Sequence, residues 1–141
     1  MPKTDLAYFA GFFDGEGCII IGTKNCTWNK NHLKTYYLTV SAGSTNHWIL
    51  ELLRFQFEGK VYLRKPQELS RKPFWQWNVQ NRQALRFLKT IAPYLKLKKA
   101  EADIAIQWQE KRHMGKHYNE GERAIAEAQK ILLESLKKRS D

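Results

Sequence analysis

The chain has 141 residues, 43% of them hydrophobic, and a formal net charge of +10. Such a length and composition can bury a core and exclude a disordered polar tail. The positive surplus points to a polyanionic partner, nucleic acid ahead of a membrane surface, although many small domains are basic for solubility alone. No apolar run reaches the roughly 18 residues a membrane span needs, so no membrane role is expected. Met1-Pro2-Lys3-Thr4-Asp5 has no signal-peptide pattern, and two cysteines, Cys18 and Cys26, do not make a disulfide framework. The expected setting is intracellular, reducing and not secretory.

A first helix is expected over residues 5–14, capped by Thr4 or Asp5. Residues 18–24 then read as a strand, being β-branched and bounded by glycines. A polar loop over 25–33, holding Trp28, leads to a second strand over 35–42. Here Tyr36, Leu38, Val40 and Ala42 share one face, and Thr35, Tyr37, Thr39 and Ser41 the other. The apolar spacing turns helical within 45–57, at Ile49, Leu52, Leu53 and Phe57, with Gly59 as the stop.

A third strand over 60–65 puts Val61 and Leu63 on one side and Lys60, Tyr62 and Arg64 on the other. After a basic loop, 66–73, a fourth strand opposes Trp75, Trp77 and Val79 to Gln76, Asn78 and Gln80. Asn81 is expected to cap a helix that runs to Ile91 and stops before Pro93. A helix over 97–111 would turn Leu97, Ala100, Ile104 and Trp108 inward. A last helix over 122–137 would bury Ile125, Ala128, Ile131, Leu132 and Leu136. The pattern is a single α+β domain over 1–141, with a core of about 5–111 and a C-terminal helical extension of about 112–141.

Two hairpins with helices on one side leave a polar sheet face. It carries Lys24 from the first strand, Thr35, Tyr37 and Thr39 from the second, Lys60, Tyr62 and Arg64 from the third, and Gln76, Asn78 and Gln80 from the fourth. Long donors and aromatics on a sheet suit the major groove of a duplex. An ordinary solvated face has the same pattern, and the pattern alone leaves both readings open.

The chemistry is concentrated at the end of the first helix. Tyr8, Gly11 and Gly15 fall at i, i+3 and i+7, on one helical face. Glycines there would let two helix backbones approach closely; tight packing within the chain's own core is the plainer alternative. Across a two-fold axis, such an approach would bring two copies of Glu16 together. Paired carboxylates on a basic surface can hold a divalent metal beside phosphates. Glu16 could instead be an idle acid in a turn, and Asp14 a helix-end residue with a structural hydrogen bond.

The stretch Phe9-Ala-Gly-Phe-Phe-Asp-Gly-Glu-Gly17 resembles the motif of the LAGLIDADG homing endonucleases. Ala10, Gly11, Asp14 and Gly17 are identical to it, and Glu16 replaces its second aspartate. The α-β-β-α-β-β-α order is similar to that family's, as is the stretch Pro93-Tyr-Leu-Lys-Leu-Lys-Lys-Ala-Glu-Ala102. The resemblance spans roughly residues 5–111. It implies the αββαββα fold, here with extra C-terminal helices. It also implies a site-specific, Mg²⁺-dependent DNA endonuclease, Mn²⁺ substituting, that cuts both strands and leaves short 3′ overhangs.

The family's metal ligands map onto the Glu16 carboxylate and the Gly15 carbonyl, and its basic residue near the active centre onto Lys98. One motif rather than two implies a homodimer in contact through Tyr8, Gly11 and Gly15, with a near-palindromic double-stranded DNA target. Some family members carry a glutamine or basic residue near the end of the second strand. The chain departs from them with Ser-Ala-Gly-Ser-Thr-Asn over 41–46, where Ser41 or Asn46 could position water. The implied setting is a bacterial, archaeal or phage-infected cytoplasm, or an organelle, with an intron-borne reading frame. The alternative is a catalytically inactive LAGLIDADG-fold binder, an intron RNA maturase or a transcription regulator, with intron RNA as partner.

Weaker signals are set aside. His113 and His117 have helical metal-ligand spacing, but Gly115 lies between them and no further ligand is near in sequence. Lys137-Lys138-Arg139 reads as a solvated helix end that complements the helix dipole.

Overall fold

Four strands pair antiparallel in the order β1-β2-β4-β3, so that two hairpins meet along β2 and β4. The structure, a computed structural model, describes residues 1–25, 34–64, 72–112 and 120–139. Helix α1 is Lys3–Glu16, followed by β1 (Gly17–Asn25), β2 (Lys34–Ser44) and α2 (His47–Phe57). Then come β3 (Lys60–Arg64), β4 (Phe74–Gln80) and α3 (Asn81–Ile91). A 3-10 turn at Ala92–Tyr94 precedes α4 (Lys99–Lys111) and α5 (Glu120–Arg139).

Strand periodicity decides which face the helices cover. Ile19, Ile21, Leu38, Val40, Trp77 and Val79 all lie on one side, and none is more than 2% exposed. The register aligns them: Ile19 opposes Val40, Val40 opposes Val79, and Ala42 opposes Trp77. Against this layer pack Phe9, Ala10 and Phe13 of α1, Leu50 and Leu53 of α2, and Phe87 of α3. The Phe87 ring is edge-on to Phe57 at 4.8 Å, to Trp77 at 4.9 Å and to Phe13 at 5.2 Å. The buried Trp77 indole donates to the Glu58 carbonyl at 2.8 Å, which also occupies a carbonyl at the end of α2. Gly59, next in sequence, sits at φ +96°, where only glycine is unstrained.

Four expectations are corrected. Neither Thr4 nor Asp5 caps α1; Pro2 occupies that position without a side-chain bond, and proline suits it because it has no N–H to satisfy. Asn81 does not cap α3. It stands at φ +51°, and its Oδ1 accepts the Leu38 N–H at 3.1 Å and Arg112 Nη1 at 2.9 Å. Leu38 lies just beyond the last β2–β4 pair, Thr39–Gln80, so the Asn81 side chain takes the place of a missing strand partner.

The inner stripe of α4 matches the expected one only in part. Trp108 is buried and Ile104 half-buried, but Leu97 precedes the helix and is exposed, as is Ala100, and Ala102 and Ala105 are buried in their place. The small Ala102 and Ala105 let α4 lie close to its neighbours α3 and α5. On α5 the buried residues are Ala126 and Leu133; Ile125, Ala128, Ile131 and Leu132 are exposed, and Leu136 is half-buried. This helix is apolar on two sides, so periodicity cannot choose between them. One anchor that orients it is Glu127 Oε2, which accepts the Tyr36 hydroxyl at 2.7 Å.

Cys26, Trp28, most of the basic loop, His113 and His117 lie outside the described residues. Among the described residues, no helix is long and apolar enough to cross a membrane.

Asn81 gives a stability test. Asn81→Ala orphans the Leu38 N–H and puts alanine at positive φ, which it tolerates less well than asparagine, so a loss of about 2–4 kcal/mol is expected. Asn81→Gly relieves the backbone strain and should lose only the hydrogen-bond part. Urea unfolding of both variants checks the order; equal losses would show that the side-chain bond alone matters.

Candidate active site and nucleic-acid interface

Helix α1 has two apolar sides, but the fold buries only one. Phe9, Ala10 and Phe13 face the core, while Tyr8, Gly11 and Gly15 are exposed. Among the described residues, a β-carbon built on Gly11 or Gly15 would meet nothing within 4 Å. Each helical glycine costs about 1 kcal/mol relative to alanine, and nothing in the packing of the described residues requires either one. Gly17 differs: a β-carbon there would lie 2.2 Å from the Phe13 ring. It is glycine because the helix must turn into β1 directly over that ring.

Asp14 ties the end of α1 to the start of α4. Its carboxylate accepts the Lys96 N–H at 2.8 Å and the Lys98 N–H at 3.0 Å. Lys98 Nζ in turn donates to the Asp14 carbonyl at 2.8 Å. This carbonyl belongs to the last turn of α1, where a cation complements the helix dipole. The folded chain therefore brings Lys98 to the residue that precedes Gly15 and Glu16, although they are more than 80 positions apart in sequence. Asp14 is structural, as one reading of the sequence had it.

Glu16 closes α1 and is exposed. Among the described residues, no three His, Cys, Asp or Glu side chains lie close enough to hold a metal ion. One chain offers the Glu16 carboxylate and the Gly15 carbonyl, hard oxygen donors of the type Mg²⁺ takes. They fit such an ion chemically but do not complete its shell, so further oxygens must come from outside the chain.

All ten polar-face residues expected from the sequence share one side of the sheet. The pairing forms rows across it: Lys24 with Thr35, Thr39 with Gln80, Lys60 with Asn78, Tyr62 with Gln76. Tyr37 lies across Gly22, where a β-carbon would come 2.4 Å from its ring. The Arg64 guanidinium stands over the Phe74 ring, 5.7 Å from its centroid. Gln80 Nε2 is 3.4 Å from Thr39 Oγ1.

Strand parity also places Cys18, Ile20 and Ser41 on this face, three residues the sequence reading did not assign to the interface. The signal was available, since Ile20 is four residues before Lys24. Ser41 pairs with Cys18, two residues after Glu16. Asn46, the other candidate for positioning water, uses its Oδ1 to cap α2 through the Trp48 N–H at 3.0 Å. From the tail, Lys137 Nζ reaches Cys18 Sγ at 3.7 Å, so α5 ends at the start of β1.

A family model described as LAGLIDADG endonuclease matches residues 9–106. No curated protein matches the sequence. Among solved structures, the chain is similar to the homing endonuclease I-CvuI in complex with the I-CreI target. The TM-score is 0.77 at 20% identity, over 95% of this chain and 82% of that one. It is also similar to the archaeal intron-encoded homing endonuclease I-Vdi141I complexed with DNA, with TM-score 0.77 at 16% identity, over 95% and 84% of the two chains. A double mutant of I-SmaMI matches over 88% of this chain but 42% of its own length, with TM-score 0.70 and 15% identity. At these identities the likeness is one of fold.

Proposed function

The chain belongs to the LAGLIDADG endonuclease family, and on that premise we propose that it is a homodimeric, site-specific homing endonuclease. It cuts both strands of a long, near-palindromic DNA target by metal-dependent phosphodiester hydrolysis. The observation that carries this reading is the bare glycine face of α1 beside a single exposed Glu16. Pairing α1 with its copy across a two-fold axis would give Gly11 and Gly15 a packing reason and set two Glu16 carboxylates together.

Glu16 and the Gly15 carbonyl from each subunit would hold Mg²⁺, or Mn²⁺ in its place. A bound divalent ion neutralises charge on a scissile phosphate and lowers the pKa of a bound water. Lys98, tethered to the Asp14 carbonyl, keeps a cation at the same helix end, where it stabilises developing negative charge or orients water. The polar sheet face of each subunit reads one half-site of roughly 10 bp. The likeness in fold to I-CvuI and I-Vdi141I, both of them bound to DNA, supports that choice of partner.

The test is a plasmid library with long randomised inserts, incubated with the purified protein in Mg²⁺ or in EDTA. Linear products that share one near-palindromic sequence, seen only with Mg²⁺, are expected. Specific retention of such inserts without cutting would establish an inactive binder instead.

Within the sheet, base and phosphate contacts should separate. Arg64→Ala is expected to cost about 1–3 kcal/mol and to relax preference at one base position in each half-site, because arginine pairs bidentately with guanine. Lys24→Ala should weaken binding to all sequences alike and lower the salt slope by about one unit. Cleavage profiles over single-base target variants, at two salt concentrations, distinguish the two. An unchanged profile for Arg64→Ala removes it from the reading surface.

A further inference from the structure

We propose that Ile20 is a specificity-determining residue that recognises the 5-methyl group of a thymine in each half-site, a reading that rests on the proposed DNA cleavage. Ile20 lies on the outward face of β1 and is 42% exposed. Among the described residues it is the one exposed aliphatic side chain on that face. A single exposed isoleucine is common on protein surfaces; what distinguishes Ile20 is its setting. Its β1 neighbours on that face, Cys18 and Gly22, are small, and the Tyr37 ring that lies over Gly22 adds apolar surface beside it.

The row it belongs to is chemically coherent. Ile20 pairs with Thr39, and Thr39 with Gln80, whose Nε2 is 3.4 Å from the threonine hydroxyl. In the major groove, apolar side chains contact the thymine methyl and glutamine pairs bidentately with adenine. Two strand spacings separate Ile20 from Gln80, roughly 10 Å, which fits within a groove about 12 Å wide. The row therefore suits an A·T-containing step, with Ile20 on the methyl side.

Its place in the target follows from the strand. Glu16 closes α1, and Ile20 lies three residues past Gly17, the start of β1, about 10 Å along the strand. At about 3.4 Å per base pair, the thymine lies near the third pair outward from the scissile phosphates, within roughly the second to fourth.

The experiment replaces that thymine with uracil in both half-sites of the selected target, which deletes only the methyl group. Binding is read by fluorescence anisotropy in EDTA, where metal-dependent cutting cannot occur. Wild type should lose about fourfold per half-site, about 15-fold in all, the size of burying one methyl group. Ile20→Ala should bind the thymine and uracil targets equally, with an unchanged unfolding midpoint. Equal wild-type affinity for both targets, a retained preference in Ile20→Ala, or no thymine in that window of the selected target overturns the assignment. Failure to prefer the unmodified target over a scrambled duplex sinks the nuclease reading itself, and this inference with it.

Discussion

Glu16→Gln is expected to abolish cleavage while leaving DNA binding nearly intact. Glutamine keeps the length of the side chain and removes the charge that a divalent ion requires. In a symmetric dimer, both copies lose it at once. A metal supplies several kcal/mol of transition-state stabilisation, and each 1.4 kcal/mol is tenfold, so the rate should fall at least about a thousandfold. In the proposed complex, binding depends on phosphate and base contacts from the sheet, which the substitution does not touch. Removing two negative charges beside the backbone should, if anything, tighten it. Cleavage by Glu16→Gln at the wild-type rate would remove Glu16 from the active centre.

Gly11→Leu should destroy the dimer without harming the subunit. A β-carbon at position 11 meets nothing within 4 Å among the described residues. Replacing a helical glycine with leucine removes a cost of roughly 0.8–1 kcal/mol, so the isolated subunit should become more stable. Between two closely packed helices, however, the leucine side chain would hold the backbones apart. Sedimentation should give a single species near the chain mass of 16.6 kDa. Affinity for the full target should fall by about 10²–10⁴, the advantage of engaging two half-sites together. The opposite pattern, a stable dimer with a weakened fold, would place the interface elsewhere and give Gly11 a role in its own core.

Much of this architecture was legible in the sequence, for a definite reason. Where a segment is apolar on one side only, as in 35–42 or 75–80, period-2 alternation fixes both the strand and its buried face. All ten polar-face residues followed from that parity. Where a segment is apolar on both sides, pattern loses its power. Helix α5 buries Ala126 and Leu133 rather than Ile125 and Leu132, and an ion-dipole contact between Glu127 and the Tyr36 hydroxyl takes part in that choice.

Long-range polar contacts were equally hidden. Asn81 preceding a helix looks like a cap, and only the register shows that β4 ends before Leu38 and leaves an N–H to be met. At the proposed active centre, the motif points to Glu16 and the bare glycines. The placement of Lys98 depends on the Asp14 carboxylate accepting two backbone N–H groups from residues 96–98, which no local pattern encodes.

The most direct measurement is the position of the two cuts on a target recovered from the plasmid library, mapped base by base on each strand. Two copies of one motif, joined through α1, predict cuts related by the same two-fold axis as the half-sites. The ends should carry short 3′ overhangs and appear in Mg²⁺ but not in EDTA. Cuts unrelated by that axis, a cut confined to one strand, or equal cutting in EDTA would contradict a paired, metal-dependent centre built from two copies of Glu16.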